Sequence, residues 1–488
     1  MGTSPASRPS SSATAPERAA HEVDEGTVSL FDQAGQWTHR DRHQHLHFDI
    51  EVPERTVELM VRFRWDPHDM GSEHLANAAS LYLFGPAGFR GAVRRSDDDG
   101  WTVIGESSAT PGCLAGSIPA GPWVLNIETG LILNDGAETG HLTWHLEASA
   151  RLGEPAATAS APATSVAARR PSAGGARWYR GDLHSHTVHS DGHVTVADRV
   201  RGAVERGLEF LAITDHNTIS HHREVDAWPD GIIPIRGSEV TTFHGHINVF
   251  GLATHIDWRA DHRGGGAEGI TEQAHRQDAI ASINHPSSFG DPWCVGCHWD
   301  FARVDYSTFD AMEVWNGGWA DVETHNEGNI ALWTDLLDAG LRLTAIAGTD
   351  SHGPRDDDDA TLGFTWIYAT EPTEAAILDG IRQHRVIVMR DARTTPPAVQ
   401  ARCGSTEAGV GESLVCKKDE ELAVHISMPE LAGGNAEFTW NAARMATRAI
   451  GQGTTFTMPA NAGYLRVRVY TADGRTVAIT NPVYVQTR

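Results

Sequence analysis

The chain has 488 residues and a formal net charge of -25, and hydrophobic residues make up 40% of it. Domains usually run to about 100–200 residues, so this length predicts two to four of them. The negative charge repels phosphate backbones and anionic membranes, which argues against nucleic acid and membrane surfaces as partners. No stretch of about 18 apolar residues is present, so no transmembrane helix is expected.

The first part of the chain divides into three segments by composition. Residues 1–24 are rich in Ser, Ala and Pro, which predicts a disordered tail. They contain no apolar signal-peptide core, so the expected location is the cytoplasm, unless a signal has been removed. Over residues 25–150 apolar and polar residues alternate, as in TVELMVRFRW, which predicts a β-sandwich module. Residues 151–177 are rich in Ala, Pro, Ser and Gly and predict a linker.

Residues 178–395 show a different pattern, in which short and nearly continuous apolar runs alternate with helical patterns. The runs include FLAIT, IIPIRG, INVFGL, IASIN, MEVWN and LTAIAG, and they predict strands buried on both faces. Alternating strands and helices predict a parallel sheet, either a barrel or an open sheet. The apolar residues that predict two helices are Val196, Val200, Val204 and Leu208, and Ile330, Trp333, Leu336 and Leu337. Residues 396–488 return to strand patterns and predict a second β-sandwich module.

Several of the apolar runs in 178–395 stop at residues that bind divalent cations. These residues are His184 and His186 after YRGDL, His216 after FLAIT, Glu239 after IIPIRG, His285 after IASIN, and Asp350 and His352 after LTAIAG. Asp191 follows the first pair in HSDG. A single His or Asp is more often packed in a core or capping a helix, but repetition at five strand ends is hard to obtain by chance. Because the carboxyl ends of parallel barrel strands lie at one face, we expect these side chains to meet in a metal site.

The ordered segments HSHT, SDG, ITDHN, GSEVT, HGHINVFG, NHP and GTDSHG resemble the motifs of the PHP (polymerase and histidinol phosphatase) metallohydrolase family. The segments EVTTFHGHINVFGL and EVWNG resemble the CehA/McbA branch, which includes carbaryl hydrolases. The resemblance spans roughly residues 178–395. It implies a distorted (β/α)7 barrel, here flanked by N-terminal and C-terminal all-β sandwich modules.

The resemblance also implies up to three metal ions and the residues that would hold them. The implied ligands are His184, His186, Glu239 and Asp350 for one ion, Glu239, His246 and His285 for a second, and Asp191, His216 and His352 for a third. Other members carry a His where Asp191 stands, so the third position is more oxygen-rich here. His246 is preferred to His244 because it directly precedes INVF; His244 is instead a candidate pocket residue and the candidate catalytic general acid.

His and carboxylate ligands without thiolates suit Mn²⁺, Fe²⁺ or Zn²⁺, so we expect two or three divalent ions as cofactors. Two ions bridged by Glu239 would hold a hydroxide that attacks a small-molecule ester. The first expectation is a phosphoesterase on a small phosphate ester, with Arg180, Arg236 and Arg355 as candidate phosphate-binding residues. The alternative is a carboxylic or carbamate ester or amide hydrolase, as the branch implies, and a third is a binding protein with a degenerate barrel. The sequence indicates no oligomeric state.

Other residues near the predicted site carry open alternatives. Asp182 and Asp215 either orient ligands or cap turns. CVGCH (294–298) fits a c-type haem pattern, but a free thiol pair, a redox pair or an extra zinc site with His298 or Asp300 is the preferred interpretation. The acidic run Asp356–Asp359 predicts a solvated loop. Trp293, Trp299, Trp315 and Trp319 predict core packing or a hydrophobic wall for an aromatic leaving group.

Overall fold

The computed structural model describes residues 26–72, 75–94, 100–133, 141–154, 174–259, 266–317, 322–353, 362–431 and 433–488. The predicted tail, most of the predicted linker, Trp319, Arg355 and the acidic run Asp356–Asp359 lie outside the described residues. The described chain is mostly β-strand with few helices. In this part of the chain, no helix has the length and apolar character needed to cross a lipid bilayer.

The N-terminal part forms two four-stranded antiparallel sheets around a shared apolar core. Its strands are β1 (Thr27–Thr38), β2 (Gln44–Val52), β3 (Thr56–Asp66), β4 (Asp69–Ser72), β5 (Leu75–Ala76), β6 (Ala78–Gly85), β7 (Gly88–Val93), β8 (Thr102–Gly105), β9 (Gly121–Leu131) and β10 (His141–Leu152). One sheet has the order β1-β10-β3-β8 and the other β2-β9-β6-β7. The alternating residues Leu59, Val61, Phe63 and Trp65 of β3 are buried in this core, as the period-two pattern predicts.

The central part carries the predicted site residues. Its strands are β11 (Arg177–Asp182), β12 (Phe210–Ile213), β13 (Ile233–Thr241), β14 (His246–Phe250), β15 (Ile280–Ile283), β16 (Ala311–Asn316), β17 (Thr344–Gly348), β18 (Phe364–Ala369) and β19 (Val386–Met389). Its α-helices are α1 (Val196–Glu205), α2 (Glu268–His275), α3 (Val322–Asp338) and α4 (Glu374–Arg382). Single 3-10 helices span Ser220–Ala227 and Tyr306–Thr308, and another lies at His39–Asp41 in the N-terminal part.

The central strands pair in the order β17-β16-β15-β14-β13-β12-β11-β18-β19. The pairs β11–β12, β12–β13, β15–β16 and β16–β17 are parallel, whereas β14 runs antiparallel to both of its neighbours. The predicted parallel sheet is therefore interrupted by the hairpin of β13 and β14. Among the described residues the ladder is a path rather than a closed ring, and the (β/α)7 barrel stays a prediction.

Both predicted helices are present, with one change in the buried face of the first. Helix α1 begins at Thr195, whose side chain accepts a hydrogen bond from the backbone N–H of Asp198. Val196 and Val200 are buried, but Val204 is 46% exposed, and Ala203 takes the next position on the buried face. The 3.6-residue period explains the difference, because four-residue steps drift away from the core over three turns. In α3, the predicted residues Trp333, Leu336 and Leu337 are buried.

The C-terminal part is again strand-rich and continues the central sheet. Its strands are β20 (Ala398–Cys403), β21 (Thr406–Ala408), β22 (Ser413–Cys416), β23 (Glu421–Ser427), β24 (Asn435–Trp440), β25 (Ala443–Ala449), β26 (Thr454–Pro459), β27 (Gly463–Tyr470), β28 (Thr476–Thr480) and β29 (Val483–Thr487). A separate sheet has the order β21-β20-β23-β26, and β28 pairs with β19. The predicted boundary near residue 395 is therefore not a break in the sheet.

Candidate metal centre

The structure brings all nine predicted metal ligands into one cluster. His184 and His186 follow β11, His216 follows β12, Glu239 lies near the end of β13, His246 begins β14, His285 follows β15, and Asp350 and His352 follow β17. Backbone bridges tie these ends together, since Ser185 pairs with Ser351 and His216 pairs with Glu239 in parallel fashion. The ends of these strands thus bring the nine side chains together.

Four ligand atoms meet at the centre of the cluster. The Nε2 atoms of His184 and His186 are 3.1 Å apart. His186 Nε2 lies 3.0 Å from Asp350 Oδ1 and 3.4 Å from Glu239 Oε2. His184 Nε2 lies 3.3 Å from Asp350 Oδ1 and 3.2 Å from Glu239 Oε2. Bonds of about 2.0–2.1 Å to one tetrahedral ion put ligand atoms about 3.4 Å apart, so this spacing fits one cation.

Glu239 uses its two carboxylate oxygens on different sides. Oε2 faces the central atoms and also lies 3.0 Å from Nδ1 of His216. Oε1 lies 3.0 Å from Nδ1 of His246 and 3.3 Å from Nε2 of His285, and it accepts a hydrogen bond from Asn284. A carboxylate placed in this way can bridge two neighbouring cations.

Asp191 lies between two His side chains, His216 and His352, at the outer part of the cluster. Its Oδ2 lies 3.3 Å from Nε2 of His216, and its Oδ1 lies 3.4 Å from Nε2 of His352. The side chains of Asp191 and His352 are 33% and 34% exposed, whereas those of His184 and Glu239 are almost fully buried. The cluster therefore opens to solvent on the side of Asp191 and His352.

The charges in the cluster suit metal binding. Burial alone would raise the pKa of the Glu239 carboxyl, but the surrounding imidazoles, with His184 foremost, hold it well below its ordinary value. The pKa of Asp350 is likewise held well below its ordinary value by His184, against the effect of burial. Burial lowers the pKa of His186 and of His246 to about 4. Against the effect of burial, the neighbouring carboxylates raise the pKa of His184, His216, His285 and His352. The carboxylates are thus in the form that binds cations, and these four imidazoles would release a proton when a cation binds.

Two buried atoms test whether this donor set fits a cation. Among the described residues, Nδ1 of His186 has no hydrogen-bond partner, and Oε2 of Glu239 lies 3.0–3.4 Å from three imidazole nitrogens without hydrogen-bonding geometry to any of them. A buried carboxylate oxygen without a hydrogen bond is costly unless a cation compensates its charge. The residues therefore fit a metal centre better than a purely structural hydrogen-bond network.

Glu313 is a member of the cluster that the sequence interpretation missed. This fully buried carboxylate lies in β16, and its Oε1 is 2.8 Å from Nδ1 of His184. Its Oε2 accepts hydrogen bonds from the backbone N–H of His285 and from Nδ2 of Asn316, at 3.3 and 3.1 Å. Since both oxygens are already used, Glu313 orients His184 from behind. A carboxylate inside the apolar run MEVWN was the available signal, because such a group needs a partner.

Asp182 and Asp215 organise backbone rather than ligand imidazoles. Asp182 accepts hydrogen bonds from the backbone N–H groups of His184 and Thr349, at 3.1 and 3.0 Å, and burial raises its pKa to about 6. Asp215 accepts from the N–H and the hydroxyl of Thr187 and from the hydroxyl of Ser190. Both therefore fix the loops that carry the ligands, which favours the turn-capping alternative.

The N-terminal part reaches the cluster, which the sequence did not predict. Nε of Arg94 lies 3.8 Å from Oδ2 of Asp191 at the open side. Tyr82 accepts a hydrogen bond from Nδ2 of Asn217, the residue that follows the ligand His216. This contribution depends on packing between distant parts of the chain, which no local pattern reveals.

The candidate phosphate-binding residues Arg180 and Arg236 are held elsewhere by other groups. Arg180 donates to the carbonyls of Gly207 and Ala392. Arg236 forms an ion pair with the buried carboxylate of Glu374. The third candidate, Arg355, is outside the described residues. Neither described residue is placed to bind a substrate at the cluster.

His244 does not join the cluster. Its side chain is 42% exposed, and its Nδ1 lies 2.9 Å from Oδ1 of Asp300. Of this pair of alternatives, the structure places His246 among the ligands and leaves His244 at the surface. The role of His244 as a general acid stays a prediction.

The described tryptophans divide between packing and exposure. Trp315 is buried, and Trp299 packs against Phe309. Trp293, in contrast, is 59% exposed, and its ring lies 5.6 Å from that of Phe289, which is 56% exposed. The packing interpretation therefore holds for the first two, and Trp293 remains a candidate wall for an aromatic group.

Comparison with known proteins identifies the central stretch. The model of the PHP domain family matches residues 182–332, which include all the predicted ligands except Asp350 and His352. The predicted resemblance to the PHP family is confirmed for this stretch, and the CehA/McbA branch stays a prediction. No curated protein matches the chain.

Two solved structures are similar at low identity. A two-domain protein from Bacteroides vulgatus, containing a predicted PHP-like metal-dependent phosphoesterase, is 17% identical, with a TM-score of 0.35. The alignment covers 65% of this chain and 99% of that chain. An amidohydrolase from Chromobacterium violaceum is 16% identical, with a TM-score of 0.25, and 36% of this chain and 89% of that chain are covered. At these identities, inference about the chemistry depends on the residues of the cluster.

Proposed function

This chain contains a PHP domain, and we propose that it is a metal-dependent hydrolase acting on a small phosphate ester. The observation that carries the proposal is the spacing of 3.0–3.4 Å among the central ligand atoms of His184, His186, Glu239 and Asp350. Buried ionised carboxylates need a compensating positive charge, and a divalent cation bound by these four residues would supply it.

We propose two or three divalent ions, Mn²⁺, Fe²⁺ or Zn²⁺, as the cofactors. When bound, such ions lower the pKa of water and neutralise charge on the attacked oxygen. The proposed ligand sets are His184, His186, Glu239 and Asp350; Glu239, His246 and His285; and Asp191, His216 and His352.

The protein contributes a fixed orientation of the ligand rings. Glu313 holds the outer nitrogen of His184, and the hydroxyl of Thr241 lies 2.5 Å from Nδ1 of His216. The carbonyl of Asp350 accepts from Nδ1 of His352. Rings held from behind in this way do not have to reorganise when a substrate binds.

Arg94 supports a phosphate ester as the substrate. The cluster opens at Asp191 and His352, and Arg94 lies beside Asp191 on that side. Its separation of 3.8 Å from Asp191 is longer than a hydrogen bond, so this contact does not occupy its donors. A guanidinium presents two parallel N–H groups that match phosphoryl oxygens.

A carboxylic or carbamate ester of an aromatic alcohol is the second candidate substrate. The exposed rings of Phe289 and Trp293 lie on the segment that follows the ligand His285. Exposed aromatic pairs are uncommon on a surface with no binding role, and they suit an aromatic leaving group.

The substrate class is tested with the Mn²⁺-loaded full-length protein on p-nitrophenyl phosphate and a naphthyl carbamate. We expect turnover of the phosphate, and R94A should raise its KM by about 10- to 100-fold, the loss of one or two charged hydrogen bonds. R94K keeps the positive charge but loses the planar guanidinium, so its KM should lie between those of the wild type and R94A.

Three outcomes would redirect the proposal. Turnover of the carbamate alone, impaired in the F289A/W293A double variant and unaffected in R94A, would establish the second candidate. Turnover that persists in H184A would place the activity outside this cluster. A purified protein that binds no divalent metal would support a binding protein with a degenerate barrel.

The domain architecture, the location and the partners of the protein follow from its sequence pattern and charge. We propose that residues 178–395 form a (β/α)7 barrel between β-sandwich modules at 25–150 and 396–488. We also propose a cytoplasmic location and a small-molecule substrate, with no nucleic-acid or membrane partner. The net charge of -25 supports the exclusion of polyanionic partners.

A further inference from the structure

The segment CVGCH (294–298) lies beside the metal cluster. The residue that approaches its two cysteines is neither His298 nor Asp300, the two partners expected from the sequence. Nδ1 of His298 donates to the carbonyl of Ser288, and Asp300 pairs with His244. These contacts take both predicted partners away from the two thiols. The structure instead places the imidazole of His246, some fifty residues earlier in the chain, against Cys294 and Cys297.

His246, Cys294 and Cys297 form a compact set of metal donors. One ligand atom from each residue lies within 4.8 Å of the other two. His246 and Cys297 are buried, and Cys294 is half-buried. One nitrogen and two sulfurs are the donors that zinc prefers, at bond lengths of about 2.0–2.3 Å. Two sulfurs bound to one tetrahedral zinc lie about 3.8 Å apart, so the sulfurs, which the structure joins in a disulfide, have to separate by about 2 Å after reduction.

The two nitrogens of His246 face different partners. Nδ1 lies 3.0 Å from Oε1 of Glu239, in the carboxylate cluster. Nε2 lies 2.8 Å from the carbonyl of Val295, which stands between the two cysteines. The ring therefore connects the metal cluster to the CVGC segment.

The CVGC segment is held firmly in this position. The side chain of Val295 packs with Leu131 and Phe243 in a small apolar cluster. Gly296 has a φ of +66°, and a Cβ at this position would collide with the carbonyl oxygen of Thr242. The close approach therefore requires glycine between the cysteines, and a loop built in this way keeps its sulfurs beside His246.

We propose that reduction of the Cys294–Cys297 disulfide creates a binding site for Zn²⁺, formed by the two thiolates and Nε2 of His246. The structure joins the two sulfurs in a disulfide, with Cα atoms 5.5 Å apart. An external dithiol supplies two electrons and two protons, its own sulfurs become a disulfide, and two protein thiols result. Zinc then displaces the two thiol protons, and the hydrogen bond from His246 to Val295 is broken.

The site couples the redox state of the cysteines to the neighbouring cluster. A neutral imidazole that binds zinc through Nε2 carries its proton on Nδ1. That proton is then donated to Oε1 of Glu239, so Nδ1 cannot bind a second cation. Reduction in the presence of zinc thus removes His246 from the proposed hydrolytic centre. Exchange with an external disulfide, which takes two electrons from the two thiolates and becomes a dithiol as zinc is released, returns it.

The experiment titrates the reduced and the oxidised full-length protein with Co²⁺ and Zn²⁺. Cobalt bound to thiolates gives a near-ultraviolet charge-transfer band that His and carboxylate ligands do not give. We expect this band in the reduced protein only, together with about one additional bound zinc ion. The band should be absent from C294S/C297S and present in C403S, which removes a buried free thiol elsewhere.

A second measurement uses the wild-type protein, so it does not depend on whether the variants fold. Zinc should shield Cys294 and Cys297 of the reduced wild-type protein from alkylation, as read by mass spectrometry of the modified peptides. Equal zinc content in both redox states, no charge-transfer band, or alkylation unaffected by zinc would each overturn the proposal. Because Mn²⁺ binding by the carboxylate cluster produces no thiolate band, failure of one proposal is distinguishable from failure of the other.

Discussion

Replacing Glu313 with Gln tests whether the ligand geometry depends on the residues behind the ligands. The carboxylate accepts three hydrogen bonds, from His184, from the backbone of His285 and from Asn316. A glutamine has the same shape but only one acceptor oxygen. If that oxygen stays with His184, the amide NH2 faces two other donors, so the arrangement cannot be kept intact.

The expected loss of metal affinity follows from the role of groups that hydrogen-bond to metal ligands. Removing one typically weakens metal affinity by about 10- to 100-fold, which corresponds to about 1.4–2.7 kcal/mol. The assay is competition of E313Q and the wild-type protein for Mn²⁺ against a fluorescent chelator, at fixed pH and ionic strength. The matched control is E374Q, which removes another buried carboxylate. In the described part of the chain, Glu374 accepts its hydrogen bonds from Arg236 and not from a proposed metal ligand.

We expect E374Q to lose thermal stability and to keep its metal affinity. An E313Q variant with unchanged affinity would refute the inference that Glu313 orients His184. A loss far beyond about 100-fold would show instead that Glu313 binds the ion directly.

Two other substitutions probe the structure around the cluster. Burial raises the pKa of Glu128 from 4.5 to about 7. The protonated side chain adds no ionisation cost to the folded protein below about pH 4.5, and the stability of the fold falls as the pH rises from there through about 7. Chemical denaturation should therefore show E128Q more stable than the wild type at pH 8, by up to about 3 kcal/mol, and no more stable at pH 4.5; an equal difference at both pH values would contradict this. At Gly348, a Cβ would collide with the Cβ of His184 and lie 2.6 Å from Oε1 of Glu313. G348A should therefore weaken Mn²⁺ binding and destabilise the fold by about 1–3 kcal/mol in thermal unfolding, whereas G175A, with open space at that Cβ, should do neither.

The side chains that meet in the cluster were predictable because two simple signals coincide in the sequence. Continuous apolar runs mark buried strands, and a His, Asp or Glu follows several of these runs at the end that faces its neighbours. Glu239, His285 and Asp350 were found in this way, and the structure brings them together. The pattern repeats over strands, so an error in one strand's boundary does not move the site.

The features that were not predicted depend on contacts between distant segments. Arg94 approaches Asp191 only because the N-terminal sheets pack against the central part, and His246 lies beside Cys297 although some fifty residues separate them in the chain. Val204 was assigned to a buried face and is exposed, because a helix buries positions three and four apart in alternation. Sequence periodicity describes one element at a time and contains no information on such contacts.

The central claim is that His184, His186, Glu239 and Asp350 hold a divalent cation. Its most direct test is anomalous diffraction at the manganese edge from crystals of the full-length protein grown with Mn²⁺. We predict an anomalous peak within bonding distance of all four side chains. Clear density for these side chains with no peak between them, in crystals that contain manganese, would contradict the claim.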